Sequence, residues 1–228
     1  MASLSVSFQI RSALLGLSIL RRRLGWGRML GTATNLTWRQ MRGEPWRGLP
    51  KPEDDKERLS RQQSGPAVLL YRALCRQVGR EQALEITREV VIDATQIFLR
   101  EQIPVLDPDE LLRWEEPKRL AFLRGLTDRF FNADTANHRV GDNRVSFFVT
   151  RCRFPELMLA VGHPELAPLY CEGDGIFFER EQPRVRFLRT RTLAADQESC
   201  DFSFEPVSPV AGSSTSGFSP GDKGSSTA

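Results

Sequence analysis

The sequence predicts an α+β fold, with N-terminal helices followed by a small antiparallel sheet and helices packed on it. Three observations lead there. Apolar residues recur at helical spacing from Leu70 to Phe131. After Gly141 the period changes from 3.6 to 2, so helices precede strands rather than alternate with them. The 228 residues, 40% hydrophobic and 27% charged, suit one well-filled domain with extensions.

Taken in order, the chain opens with a basic stretch. Ala13–Leu20 is a largely apolar run followed at once by Arg21, Arg22 and Arg23. The run is too short to span a bilayer. As a signal peptide it is poor, because the charge block follows the apolar run and no small-x-small cleavage site is evident. Two readings stay open: a basic amphipathic helix touching a membrane surface or a partner, or an unstructured extension, with Met29 or Met41 as alternative starts. Residues 43–65 are rich in Pro, Gly and charge and read as a linker, so 1–65 forms a basic extension.

The folded domain is expected over 66–206. Pro66 opens a helix with Leu70, Leu74 and Val78 on one face, and Gly79 stops it. A second helix runs from Glu81 to Arg100 with Val91, Ala94 and Phe98 in its stripe, before Pro104 breaks it. Asp107 and Asp109 suit the cap of a short turn through Leu112. Pro117 suits the first turn of a third helix buried through Leu120, Leu123, Leu126, Phe130 and Phe131, with His138 near its end. Val145, Phe147 and Val149 alternate with Ser146, Phe148 and Thr150 as a strand. Helices are expected over 154–161 and 164–178, and strands over 185–192 and from Cys200 through Phe204. Residues 207–228 hold 15 Ser, Thr, Gly or Pro out of 22 and cannot bury enough apolar surface to order themselves.

Charge is uneven. Residues 1–50 carry a net +7 and the remainder a net −4, against an overall +3. A mildly acidic body gives no reason to expect nucleic acid as a partner. Cys75, Cys152, Cys171 and Cys200 show no C-x-x-C spacing, which favours reduced thiols and a cytoplasmic location over a disulfide scaffold. With only His138 and His163, a Ser-His-Asp hydrolase is not expected.

Three short strings stand in one order: V-T-R-C-R-F-P-E-L at 149–157, L-Y-C-E-G-D at 169–174, and R-T-R-T-L at 189–193 followed by E-S-C-D-F at 198–202. Their order and spacing resemble the L-2-amino-thiazoline-4-carboxylate hydrolase family, and residues 77–90 fit it more loosely. The family pattern has a glycine where Asp196 stands and an arginine where Ser203 stands.

The resemblance implies hydrolysis of a small cyclic amidine: water adds between nitrogen and sulfur and the ring opens to N-carbamoyl-cysteine. For that chemistry Cys171 is the candidate nucleophile and Asp174, one helical turn on, the candidate base or amidinium partner. Arg189 and Arg191, two apart on an expected strand, would share a face and hold the substrate carboxylate. Each has a plain alternative. A carboxylate beside a thiol raises its pKa, and the two arginines read equally as a solvated strand face. Cys200, in line with Phe202 and Phe204, reads as core, and Cys75 as packing. Cys152, Cys171 and Cys200 with His163 or Asp174 would also make a zinc-type ligand set, while His163 alone reads as a turn residue. A non-enzymatic alternative is a ligand- or metal-binding module, since the cysteine layout is also similar to vinyl-reductase-type sensor domains.

Overall fold

The computed structural model describes residues 4–207, so the Ser/Gly-rich segment read as a disordered tail lies outside the described residues apart from Val207. Four long helices come first: α1 (Val6–Leu24), α2 (Trp26–Met41), α3 (Asp55–Val78) and α4 (Arg80–Gln102). The short α5 (Pro108–Leu112) and α6 (Glu116–Thr127) lead into a hairpin of β1 (Ala133–Val140) and β2 (Val145–Cys152). Then follow α7 (Arg153–Ala160), α8 (Ala167–Glu181), β3 (Val185–Leu188) and β4 (Cys200–Pro206). The four strands form one antiparallel sheet in the order β1-β2-β4-β3. The α+β expectation is met.

Residues 6–41, for which a loose extension was one reading, are helical and packed. Ser5 Oγ accepts from Phe8 N at 2.9 Å, closing the start of α1, and donates to Glu101 on α4 at 2.6 Å. Arg22 and Arg23 meet Glu89 on the same helix, and Phe8 lies edge-on to Phe98. Gly25, at φ 78, makes the tight turn from α1 to α2.

The last eleven residues of the expected linker, 55–65, and the Pro66 start are corrected, while 43–54 hold neither helix nor strand. Asp54 accepts from Glu57 N at 2.6 Å while the Glu57 carboxylate accepts from Glu53 N at 2.7 Å, a two-bond cap that starts α3 eleven residues before Pro66. Pro66 therefore sits inside the helix. An interior proline costs about 3 kcal/mol, and burial of Val68, Leu69, Leu70 and Tyr71 just beyond it, worth roughly 1.5–3 kcal/mol per large side chain, outweighs that. The cap is anchored from below: Arg153, 3% exposed, bridges Asp54 at 2.7 Å and Asp134 on β1 at 3.3 Å.

Helix α8 lies against α4 along a close seam. A Cβ on Gly173 would stand 2.8 Å from the Thr95 side chain, so only glycine fits there. Gln96 donates to the Gly173 carbonyl at 2.9 Å, closing the seam. One sheet face meets α4, α6 and α8 through Val149 and Cys200, Phe147 and Phe202, and Val145 and Phe204, which are cross-strand pairs.

Two further readings change. His138 belongs to β1 and not to the third helix; its ring stacks on Phe147 and shares a 2.9 Å hydrogen bond with Thr127. The strand escaped notice because Ala133–Val140 is poor in β-branched residues and a bulge around Asn137, at φ 54, breaks its alternation. The strand expected over 185–192 stops at Leu188.

Candidate active site

A cavity of about 210 Å³ lies between the inner sheet face and helices α4, α6 and α8. Its walls are mostly apolar, but at the end of β2 and the start of β4 they become polar. Cys152, Cys171, Asp174, Arg189 and Cys200, drawn from all three sequence strings, line this one cavity. The chain brings them together simply. Cys152 closes β2 as α7 begins, Cys200 opens β4, and Cys171 and Asp174 stand one turn apart on α8.

Arg189 and Arg191 part company. Beyond Leu188 the chain leaves the strand, and Asp201 accepts from Thr190 N at 2.9 Å, Arg191 N at 2.7 Å and Thr190 Oγ1 at 2.5 Å. This clamp aims Arg189 inward, where its side chain is 13% exposed and lies 5.3–5.4 Å from the rings of Phe187 and Phe202. Arg189 donates to the Cys171 carbonyl at 2.7 Å and to Asp174 Oδ2 at 3.3 Å. Arg191 points the other way, over Phe148 on the outer face, so the expected shared face does not exist.

Electrostatics follow from burial. Asp174 keeps 29% of its side-chain surface accessible, and it lines the cavity among mostly apolar walls. Desolvation raises its pKa to about 6, against the opposing pull of Arg189. Burial likewise pushes the Cys171 thiol up to about 12, with the Asp174 charge adding to the shift and Arg189 opposing it. Cys152 is pushed up to about 12 by burial, although Phe154 N and Asn132 donate to its sulfur. Cys200 is raised by burial too, and its sulfur accepts from Leu193 N at 3.2 Å. All three thiols therefore hold their protons at neutral pH, while Asp174 is mostly ionised. Among the described residues no group of three or more His, Cys, Asp or Glu is placed to hold a metal ion.

The sequence reading missed Asp201, which aims Arg189, and Tyr170. Tyr170 and Gln63 are among the cavity's lining residues, and the Tyr170 hydroxyl and the Gln63 carbonyl oxygen are buried without a hydrogen-bond partner among the described residues. Such groups are rare unless something else meets them. Tyr170 and Asp201 both sit inside the quoted strings, so their place in the pattern was the available signal. Cys75 packs against the helical core away from the cavity. His163 accepts from Arg72 Nε at 3.0 Å, also outside it. Asp196 adopts φ 57, a left-handed conformation that glycine favours and aspartate tolerates, which accounts for the departure from the family pattern there.

The coupling between Cys171, Asp174 and Arg189 is testable through thiol reactivity. In the full-length protein at pH 8, iodoacetamide labelling of Cys171, followed by mass spectrometry, should be slow. It should speed up several-fold in Asp174→Asn, where the charge that raises the thiol pKa is gone, and slow further in Arg189→Met. Equal rates in all three proteins would mean that the groups do not interact.

Known proteins add one finding. A search of curated proteins finds no match to the chain. The family model described as L-2-amino-thiazoline-4-carboxylic acid hydrolase matches residues 59–204, a span from the first turns of α3 into β4 that takes in the whole polar end of the cavity. The chain belongs to the L-2-amino-thiazoline-4-carboxylic acid hydrolase family.

Proposed function

We propose that this chain hydrolyses a small cyclic amidine of the 2-amino-thiazoline-4-carboxylate type, releasing an N-carbamoyl-cysteine. The observation that carries this reading is the Asp174–Arg189 pair at the inner end of a cavity whose walls are mostly apolar. The substrate is a zwitterion, with a cationic amidine on one side of its ring and a carboxylate on the other. A carboxylate and a guanidinium side by side complement it charge for charge, at no net charge cost to the cavity.

Arg189 spends two of its five N–H donors on Asp174 and Cys171, leaving three for the substrate carboxylate. Asp174 Oδ1 accepts no hydrogen bond among the described residues and is free to take a proton. With a pKa of about 6, Asp174 is ionised at neutral pH yet basic enough to serve as a general base. Water attacks the carbon between nitrogen and sulfur as Asp174 removes its proton. The carbon–sulfur bond then breaks, the electron pair leaves on sulfur, and Asp174 returns the proton to that thiolate.

Cys171 remains a second candidate nucleophile, but a thiol near 12 beside a base near 6 has no resting thiolate, which favours water as the attacker. The product would feed cysteine metabolism, and four unpaired thiols suit a reducing cytoplasm.

Thiol release from L-2-amino-thiazoline-4-carboxylate, followed with a thiol reagent, checks the assignment. Asp174→Asn should lower kcat by roughly 10²-fold or more, the usual range for a lost general base. Arg189→Met should act mainly on KM, and Cys171→Ala should retain most of the turnover. Full activity in Asp174→Asn would remove Asp174 from the mechanism.

A further inference from the structure

The cavity is much longer than a thiazoline ring. Cys152 and Val145, at opposite ends of β2, both line it, and seven strand steps of roughly 3.3 Å separate them by about 23 Å. Its volume of about 210 Å³ holds on the order of 7 waters at liquid density. Charge stands only at its two ends. Asp174 and Arg189 occupy the inner end; Arg119, Asp142, Arg144 and Glu205 lie at the other, where exposed Leu112 and Gly141 mark the opening. Between them the wall is built from side chains such as Phe98, Leu99, Ile103, Leu123, Phe147 and Phe204. A five-membered ring with a carboxylate fills the inner end and leaves this wall untouched.

We propose that the substrate is an amphiphile: a compact amidine–carboxylate head held by Asp174 and Arg189, with an alkyl or aryl arm running along the sheet towards the opening. This rests on the hydrolase reading for the head and on the length and lining of the cavity for the arm. An arm on the exocyclic nitrogen is a spectator to the chemistry. Water opens the ring by the same bond changes, and the product is an N-alkylcarbamoyl-cysteine. Each buried methylene should tighten binding about fourfold, the equivalent of ~0.8 kcal/mol.

The test uses the full chain and a series of 2-(alkylamino)-thiazoline-4-carboxylates from methyl to hexyl beside the parent compound. Thiol release gives kcat/KM, and displacement of the fluorescent probe 1-anilinonaphthalene-8-sulfonate gives affinity without turnover. Affinity is expected to rise about fourfold per methylene, with kcat/KM following, and Leu126→Trp is expected to flatten the series. If the parent turns over and longer arms bring no gain, the arm is overturned and the hydrolase stands. If affinity climbs with arm length but no compound is turned over, the arm stands and the hydrolase reading falls. If neither turnover nor length-dependent displacement is seen, both fall.

A separate surface carries a second inference. On α1, Val6, Ile10, Leu14 and Leu17 recur at spacings of four, four and three and are exposed, Val6 by 71%. On α2, Trp26, Leu30, Trp38 and Met41 are exposed as well. Residues 4–43 contain no acidic side chain. Arg11, Arg21, Arg28 and Arg42 there form no ion pair among the described residues; Arg21 lies over Trp26 and Arg42 over Trp38. No described helix is long and apolar enough to cross a membrane. Apolar stripes bearing tryptophan, on helices whose own charged side chains are all cations, match an anionic bilayer surface, and we infer that this hairpin lies on one. The full chain should sediment with vesicles of three parts phosphatidylcholine to one part phosphatidylglycerol, and not with phosphatidylcholine alone. Leu14→Glu with Leu30→Glu, both exposed, should abolish this. Failure to sediment with the anionic vesicles, or a dimer in analytical ultracentrifugation that the double variant makes monomeric, would overturn it.

Discussion

The constraint on which the site depends is the burial of one carboxylate. Asp174 stands on α8 facing a cavity with mostly apolar walls, and desolvation lifts its pKa from 3.8 to about 6. That shift corresponds to a penalty on the order of 3 kcal/mol for holding the ionised form. Because the folded pKa is raised, the penalty is absent below about pH 4, grows as pH rises towards 6, and is in full force at neutral pH. Arg189 keeps it from being larger, and the position of Arg189 is set in turn by the Asp201 clamp on the two residues that follow it. A residue on the outer face of the sheet thus governs charge on the inner face.

The same carboxylate needs α8 held firmly. Gly173, the residue before it, presses on Thr95 so closely that no side chain fits, and Gln96 ties down its carbonyl. This seam fixes the height of Cys171 and Asp174 over the sheet. The sheet supplies the opposite wall through Val149 and Cys200, Phe147 and Phe202, whose pairing puts sulfur at one end and aromatic rings along the rest. Packing, polarity and cavity shape all follow from how α4, α8 and β4 meet.

Much of this was legible in the sequence. The α+β order, α4, α7, α8, β2 and β4 follow from period and punctuation, since each is long or regular enough to show its buried face. The Pro66 start failed because the Asp54 cap on Glu57 N and a heavily buried face override one proline, and β1 because Asn137 breaks its alternation. At the site, Cys171, Asp174 and Arg189 stood in the family pattern, but the pattern holds no depth. That Arg191 turns outward depends on where β3 stops, and that the thiols stay protonated depends on burial, which spacing along a chain does not encode. Tyr170 and Asp201 were printed in the motifs, yet their parts depend on an unpartnered hydroxyl and on three hydrogen bonds that only the folded chain reveals.

The central claim is that an ionised, buried Asp174 is the base. The pH dependence of kcat/KM for thiol release tests it most directly, in the wild type and in Arg189→Met. The account predicts activity that rises with pH through a midpoint near 6 in the wild type, and a midpoint moved to higher pH once the stabilising cation is removed. A rise only above pH 8, well past the titration of Asp174, or a midpoint unmoved by the substitution, would contradict it.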